Sequence, residues 1–292
     1  MKEFIDLDTC VEDALKLFEK EKIPKISISY KRPLVVGSGN AAVTGRIIFA
    51  DKDAIFADES SYEQKLKSAK VDGAVLLSAS GGKHAPILAK TLKKKNIPTT
   101  LLTNNKDALA IPYVDKSYVF PKNPEPYTYN TSTYLSMIFG KTKEDPKTTQ
   151  DFIKKSIKNK IPDFSKYTAF FIIVPNELDS IREMFTTKFD ELFGGRINGR
   201  VFTEDQVKHA KTLVETNKEC FIGLGVNNTD WGLVRYNFPL PKNAKAAAAI
   251  AVGYWIIGQI QKQKPPYFKR GVKAYTKKVS KMFNQDIKPI VE

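Results

Sequence analysis

The sequence predicts an α/β protein of two αβα sandwich domains, each around a mainly parallel sheet, over residues 1–140 and 141–292. Three observations carry this. Short apolar runs alternate with amphipathic runs of helical period, the pattern of β–α–β units whose sheet is covered on both faces. Loops of glycine and serine stand at the ends of two apolar runs, Gly37–Ser38–Gly39 and Ser78–Ala79–Ser80–Gly81–Gly82. A second set of apolar runs begins after a polar, lysine-rich stretch, 141–162, which contains Asp145–Pro146 and opens the second domain.

In chain order, residues 7–22 place Val11, Ala14, Leu15, Leu17 and Phe18 at helical spacing behind Asp8 and Thr9, and Pro24 ends that helix. Pro33 leads a strand, Leu34–Val35–Val36, which feeds the Gly37 loop and an alanine-led helix over 41–49. A strand over 54–56, the polar Asp58–Glu59–Ser60–Ser61 and a helix over 62–68 come next. The strand 73–77 enters the serine–glycine loop, and a helix from about Pro86 carries Ile87, Leu88, Thr91 and Leu92 on one face. Strands over 97–103 and 116–119 and a helix over 131–139 complete the first domain. In the second, 168–174 is apolar almost throughout, as a strand buried on both faces requires. Residues 177–193 form a long helix with Leu178, Ile181, Met184, Phe185, Phe189 and Leu192 on its inner side, stopped by Gly194–Gly195. A strand over 220–225, a turn at 227–230 and a buried helix over 244–260 follow, and Pro265–Pro266 opens a basic C-terminal segment. Two successive halves of similar size imply a duplicated architecture.

Composition excludes several classes. With 42% hydrophobic and 27% charged residues in 292, the chain is globular rather than disordered. Met1–Lys2–Glu3 does not begin a signal peptide, and the longest apolar run, 246–258, is too short to span a bilayer, so a cytoplasmic protein is expected. Two cysteines, Cys10 and Cys220, fit a reducing compartment without a disulfide framework, and two histidines, His84 and His209, offer no metal cluster. The net charge of +15 comes from 47 basic against 32 acidic residues. The lysines are dispersed along helical faces, with no recognition helix, zinc finger or aromatic RNA-binding strand among them. Most read as a solvated surface and some as attracting a phosphorylated substrate; charge alone decides nothing, and it leaves a nucleic-acid binder as a remote alternative.

The chemistry concentrates in two places. Small hydroxyl residues and glycines between a buried strand and a helix leave backbone N–H groups pointing at open space, and the helix N-terminus adds partial positive charge. Ser78 and Ser80 supply two more donors. Such a loop is a phosphate cradle or an ordinary β–α turn, and alone it does not decide between them. The second place is Glu191, near the end of a helix before Gly194–Gly195, with His209 after it. A carboxylate and an imidazole can divide proton transfers between carbon and oxygen, though each residue alone could equally be a surface one.

Together, Gly37–Ser38–Gly39 after the first strand, Ser78–Ala79–Ser80–Gly81 after the third, and the later Glu191 and His209 resemble the sugar isomerase (SIS) family over most of the chain. Within the family the chain is most similar to the bifunctional phosphoglucose/phosphomannose isomerases and to the isomerase half of glucosamine-6-phosphate synthase. The resemblance implies a doubled domain that binds a phosphosugar and interconverts its aldose and ketose forms, such as hexose 6-phosphate and fructose 6-phosphate, through a cis-enediolate. It assigns the phosphate to Ser78, Ser80 and the Gly81–Gly82 backbone, and sugar or phosphate to the Gly37–Ser38–Gly39 loop. Glu191 becomes the base, His209 the ring opener supplied by the partner of a homodimer, and Lys288 a catalytic lysine in the tail. Thr131–Ser132–Thr133 resemble the synthase's serine/threonine patch. No cofactor or metal is implied, because fixed positive groups and dipoles can steady the enediolate. Two departures stand out. Lys83 and His84 lie where the family has a threonine and variable residues: Lys83 either adds charge to the phosphate site or is a solvent-facing helix lysine, and His84 reads as structural or at the rim; the enediolate-stabilising arginine has no match near 130–133. No glutaminase domain precedes these residues, so glutamine-dependent synthesis is not expected of them unaided. The alternative reading is a phosphosugar-binding sensor without turnover.

Overall fold

The computed structural model describes residues 4–292, so the reading placed on Met1–Lys2–Glu3 lies outside the described residues. The chain begins α1 (Leu7–Lys20), β1 (Pro33–Val36), α2 (Asn40–Ile48), β2 (Ile55–Ala57), α3 (Tyr62–Ser68), β3 (Gly73–Leu77), α4 (His84–Lys94), β4 (Thr99–Thr103) and β5 (Lys116–Val119). It continues through β6 (Glu125–Pro126), α5 (Thr131–Thr142), α6 (Pro146–Phe152), β7 (Ala169–Val174), α7 (Arg182–Phe193), β8 (Asn198–Thr203) and α8 (Glu204–Val207). It ends with β9 (Glu219–Leu224), β10 (Val234–Phe238), α9 (Ala246–Lys262), α10 (Tyr267–Phe283) and β11 (Ile290–Val291). These form two compact units that interleave along the sequence rather than meeting at one cut near 140. The first is Lys20–Lys122 with Thr133–Lys143; the second is the N-terminal stretch to Glu19, Asn123–Ser132 and Glu144–Glu292.

In the first unit, β2-β1-β3-β4-β5 form a five-stranded sheet, every neighbouring pair parallel. The strands β1, β3 and β4 are buried end to end, which is why they read as unbroken apolar or threonine runs. Leu34, Val36, Leu76 and Leu101 meet Leu88 and Leu92 of α4 in one core. Burying each of those leucines contributes about 2 kcal/mol. The helix α4 starts at His84, two residues ahead of Pro86, and turns Ile87 outward, where it is 61% exposed. The inner face is instead Ala85, Leu88, Ala89 and Leu92.

In the second unit, β10-β9-β7-β8 form a four-stranded sheet, again parallel throughout. Its first strand, β7, lies between β8 and β9 as β1 lies between β2 and β3, so the strand order of the first unit is repeated. Alternate residues of β7 cover both faces: Phe170 meets Phe189 and Phe164, while Phe171 stacks on Phe221 with centroids 4.6 Å apart. The helix α9 is apolar all round and buried over most of its length. The helix α1 joins it through Trp255 Nε1, which donates to Glu12 Oε1 (3.0 Å), and through Gln259 and Lys262, which reach Asp8. Among the described residues no helix is long and apolar enough to cross a membrane.

Several elements differ from the sequence expectation. The 141–162 stretch is not an open linker: Asp145 caps α6, accepting from Lys147 N and Thr148 N, and Ile153 and Ile157 in the following turns are buried. Glu144 accepts from Lys245, Ala247 and Ala248 N, capping the start of α9. The long helix expected over 177–193 begins as a 3₁₀ segment, Asn176–Ile181, broken where Leu178 leaves helical geometry, before α7 starts. The basic C-terminal segment is the helix α10, which buries Phe268, Val272, Thr276 and Val279 along one stripe. The edge strands β8 and β10, not anticipated, are half exposed, so their residues carry no continuous apolar signal.

Candidate active site

β1 and β3 are adjacent and in register, Val36 beside Leu76, so the loops that follow them leave one edge of the first sheet together. That edge is the carboxyl end, where open α/β sheets bind ligands. Each loop closes with the same uncommon backbone at the residue before its helix. Gly39 has φ 53° and ψ −131° ahead of α2, and Lys83 has φ 54° and ψ −103° ahead of α4. Glycine takes that geometry freely; a lysine held in it is strained. Gly81, at φ 58°, leaves no alternative, because a Cβ there would stand 2.3 Å from Ala108 Cβ.

The polar groups of the second loop divide by direction. Its carbonyls are tied back toward the end of β4. Ala79 O accepts from Asn104 N (2.9 Å) and Thr103 Oγ1 (3.0 Å), Ser80 O from Asn105 Nδ2 (3.0 Å), and Gly81 O from Ala110 N (3.1 Å). Gly81 N donates to Ser78 O (3.1 Å) and to Ser78 Oγ (3.2 Å), and Gly82 N to Ser80 Oγ (3.3 Å). Ser38, Glu59, Ser78, Ser80, Lys83 and His84 line one cavity of about 230 Å³, with Gly37 and Gly82 in its wall. The first unit therefore gathers the Gly37 and Ser78 loops into a single donor-rich cleft. Glu59, from the turn after β2, enters that cleft without having been singled out in the sequence: Ser38 Oγ donates to Glu59 Oε1 (3.1 Å).

The second unit builds a separate constellation. On α7, Lys188 and Glu191 lie one turn apart. Lys188 is 1% exposed, and its Nζ donates to Glu191 Oε2 (2.5 Å) and to Thr128 O (2.7 Å), 5.5 Å from the Tyr254 ring centroid. Burial, with the Glu191 and Glu125 charges nearby, pushes the Tyr254 hydroxyl well up; burial, then Tyr275 and Glu191, does the same for Tyr127. Glu125 is buried and accepts from Thr131 N and Ser132 N, each at 2.5 Å, and from Ser132 Oγ. Burial raises its carboxyl despite those donors.

No family model matches the chain, and no curated protein matches it in sequence. Solved structures do match in fold. The C-terminal domain of glucosamine-fructose-6-phosphate aminotransferase from Francisella tularensis is 12% identical with a TM-score of 0.59, over 87% of this chain and 92% of that one. Tagatose-6-phosphate ketose/aldose isomerase from Escherichia coli is 10% identical with a TM-score of 0.56, over 89% of each. Glucosamine-6-phosphate deaminase from Thermotoga maritima is 15% identical with a TM-score of 0.56, over 88% of this chain and 91% of that one. The chain has the sugar isomerase (SIS) fold.

On that SIS frame the remaining candidates fall as follows. Ser132 Oγ also accepts from Asn123 N (2.8 Å), so its hydroxyl is engaged on both sides, and Thr131 Oγ1 is buried without a hydrogen-bond partner. Thr133 belongs to the first unit, its carbonyl accepting from Asn104 Nδ2 (3.3 Å). Lys288 is exposed, but its neighbour Pro289 accepts from Tyr127 N (2.8 Å) and β11 pairs with β6, which brings the tail alongside the segment Lys188 contacts. His209 is exposed beyond the carboxyl end of β8, whereas Glu191 precedes its amino end. A six-residue strand, roughly 20 Å at 3.3 Å per residue, separates them in one chain. Glu191 and His209 are therefore not brought together by this chain's second unit. Lys188 was overlooked, although its spacing from Glu191 on a helix face was the available signal. Among the described residues no group of three His, Cys, Asp or Glu side chains could hold a metal.

Proposed function

We propose that this protein binds a sugar phosphate and interconverts its aldose and ketose forms. The observation that carries the reading is the cleft at the ends of β1 and β3, where the loop's carbonyls are tied back and its hydroxyls and amides line the cavity. A phosphate oxygen would take the place of Ser80 Oγ on the Gly82 amide, freeing that hydroxyl to donate to it beside the Ser78 hydroxyl. The Lys83 ammonium adds charge.

For the chemical step, Glu191 removes the proton from C2 of the open-chain aldose. The C2–H electron pair becomes the C1–C2 double bond and the carbonyl oxygen takes the negative charge, giving a cis-enediolate. Returning the proton to C1 while the O2 hydroxyl proton passes to O1 forms the C2 carbonyl and completes the ketose, with no net redox change. Lys188 orients the Glu191 carboxylate through its hydrogen bond and sets a fixed positive charge beside it. Lys288 acts on the same substrate in this reading, which the β6–β11 pairing beside it supports. His209 opens the sugar ring from a second copy of the chain, which makes a homodimer part of the proposal. Thr131, Ser132 and Thr133 act less directly, by holding Glu125 and Asn104.

The separation of Glu191 from His209 within one chain favours a second reading if no copy supplies the histidine: a phosphosugar sensor without turnover. Incubation with glucose- and mannose-6-phosphate, followed by assay for fructose 6-phosphate, separates the two. Turnover lost with binding retained in Glu191→Gln is expected of the isomerase, and binding without product by the wild type identifies the sensor.

A further inference from the structure

The lysines of the first unit gather at two helix ends. Lys65, Lys67 and Lys70 lie at the end of α3 and just beyond it, and Lys93, Lys94 and Lys95 at the end of α4. Between these ends is a groove of about 450 Å³, lined by Lys67, Lys70 and Lys95 with Glu63 beside them. Among the described residues no carboxylate pairs with any of the six lysines. Asp72, the next acid along the chain, accepts from Lys31 N and Arg32 N instead. A helix C-terminus attracts ammonium groups, but it carries only about half a charge, so two such ends do not balance six lysines. Nor are the side chains needed as caps. Lys95 N donates to Thr91 O and Leu92 O, Asn96 N to Lys93 O, Ile97 N to Leu92 O, and Ala69 N to Lys65 O.

The floor of the groove is apolar. Leu66, Val71 and Ile97 line it and pack against the core of the first unit. Val71 leads into β3 and Ile97 into β4, so the groove lies at the amino edge of the sheet, opposite the edge that carries the Ser78 loop. The length of α4, roughly 16 Å at 1.5 Å per residue, separates the two. An apolar floor flanked by unpaired ammonium groups fits a ligand whose carboxylates surround apolar side chains. Nucleic acid would use the charge and not the floor, and the lining holds no aromatic side chain on which a base could stack. A bilayer surface would reach the lysines without filling the recess. We propose that the α3–α4 groove is a docking surface for an acidic amphipathic segment of a partner protein. Its apolar side chains would meet Leu66, Val71 and Ile97, and its carboxylates Lys67, Lys70 and Lys95. The groove is separate from the sugar-phosphate cleft and does not depend on how that cleft is read.

Fluorescence anisotropy at physiological salt tests this with four probes: a labelled glutamate-rich helical peptide carrying leucines on one face, the same peptide with glutamine for leucine, oligodeoxythymidine, and phosphatidylserine vesicles. The wild type is expected to bind the leucine peptide about tenfold tighter than its glutamine counterpart. Lys67→Glu, Lys70→Glu and Lys95→Glu together should weaken that binding by about tenfold or more. Lys155→Glu, Lys158→Glu and Lys160→Glu together remove the same charge from the other unit and should leave it unchanged. Glutamine at 67, 70 and 95 reads the same loss, to a smaller degree, without setting carboxylates at helix C-termini. No binding of the leucine peptide, equal affinity for the two peptides, or equal weakening by the two glutamate triples overturns the proposal. So does tighter binding of the oligonucleotide or the vesicles through Lys67, Lys70 and Lys95, which would assign the groove to that polyanion instead.

Discussion

Lys83 shows most plainly how the first-unit cleft differs from an ordinary turn. Its φ of 54° and ψ of −103° are glycine's to adopt, and the equivalent place before α2 is indeed Gly39. Strain kept at a ligand-facing position is accounted for when the side chain does something glycine cannot. Comparing Lys83→Ala with Lys83→Gly isolates it, since both remove the ammonium and only glycine relieves the backbone. The glycine variant is expected to be about 1 kcal/mol more stable than the alanine variant by chemical denaturation, and both should bind sugar phosphate more weakly than wild type. Equal stabilities would mean that the backbone at 83 costs nothing. Ser78, Ser80 and the glycines could be grouped from the sequence because they form one contiguous loop. Glu59 could not be, because it acquires meaning only from Ser38, a partner distant in sequence; Lys188 left only its one-turn spacing from Glu191, and its Thr128 contact is equally remote.

At the scale of elements, the cradle depends on β4 as much as on β3. The carbonyls of Ala79, Ser80 and Gly81 are all satisfied from the segment Thr103–Ala110, which is what turns the loop's donors to the cavity. Gly81 is the contact point between the two segments. Gly81→Ala should destabilise the protein by about 3 kcal/mol, from the disfavoured φ and the overlap with Ala108, and should abolish phosphate binding in the fraction that still folds. A variant with unchanged melting temperature and affinity would show that the loop does not lean on β4. Strands buried on both faces, such as β1, β3 and β7, could be read from sequence because every residue in them is apolar or threonine. The edge strands β8 and β10 could not, because alternation over five or six residues with arginine and asparagine in it looks like loop. The helix α10 was hidden by its lysines: four buried residues at helical spacing hold it down, and charge dominates the rest.

For the whole molecule, the sequence conveyed the duplication of a parallel sheet but not how the chain is shared between the units. A cut near 140 looked natural because composition changes there. Packing follows different lines: α1 belongs with α9 through Glu12, Asp8 and Leu7, and β6 pairs with β11 at the far end of the chain. Contacts so remote in sequence leave no local pattern. The fragment 141–292 should therefore lack a cooperative thermal transition and bind a hydrophobic dye, since the face of α9 that α1 meets and the rings of Phe268 and Tyr275 on α10 that Tyr129 and Tyr127 meet would be bare. A sharp, reversible melt of that fragment by circular dichroism would show that the second sheet is independent of the N-terminal helix.

Proton exchange at carbon bears most directly on the proposed chemistry. With glucose- and mannose-6-phosphate in D₂O, proton NMR follows the C2 hydrogen of the aldose while fructose 6-phosphate accumulates. Deuterium is predicted to enter at C2 during interconversion by the wild type and to stop entering in Glu191→Gln. A C2 hydrogen that persists in every sugar phosphate shown to bind at the Ser78–Lys83 loop would contradict the isomerase account.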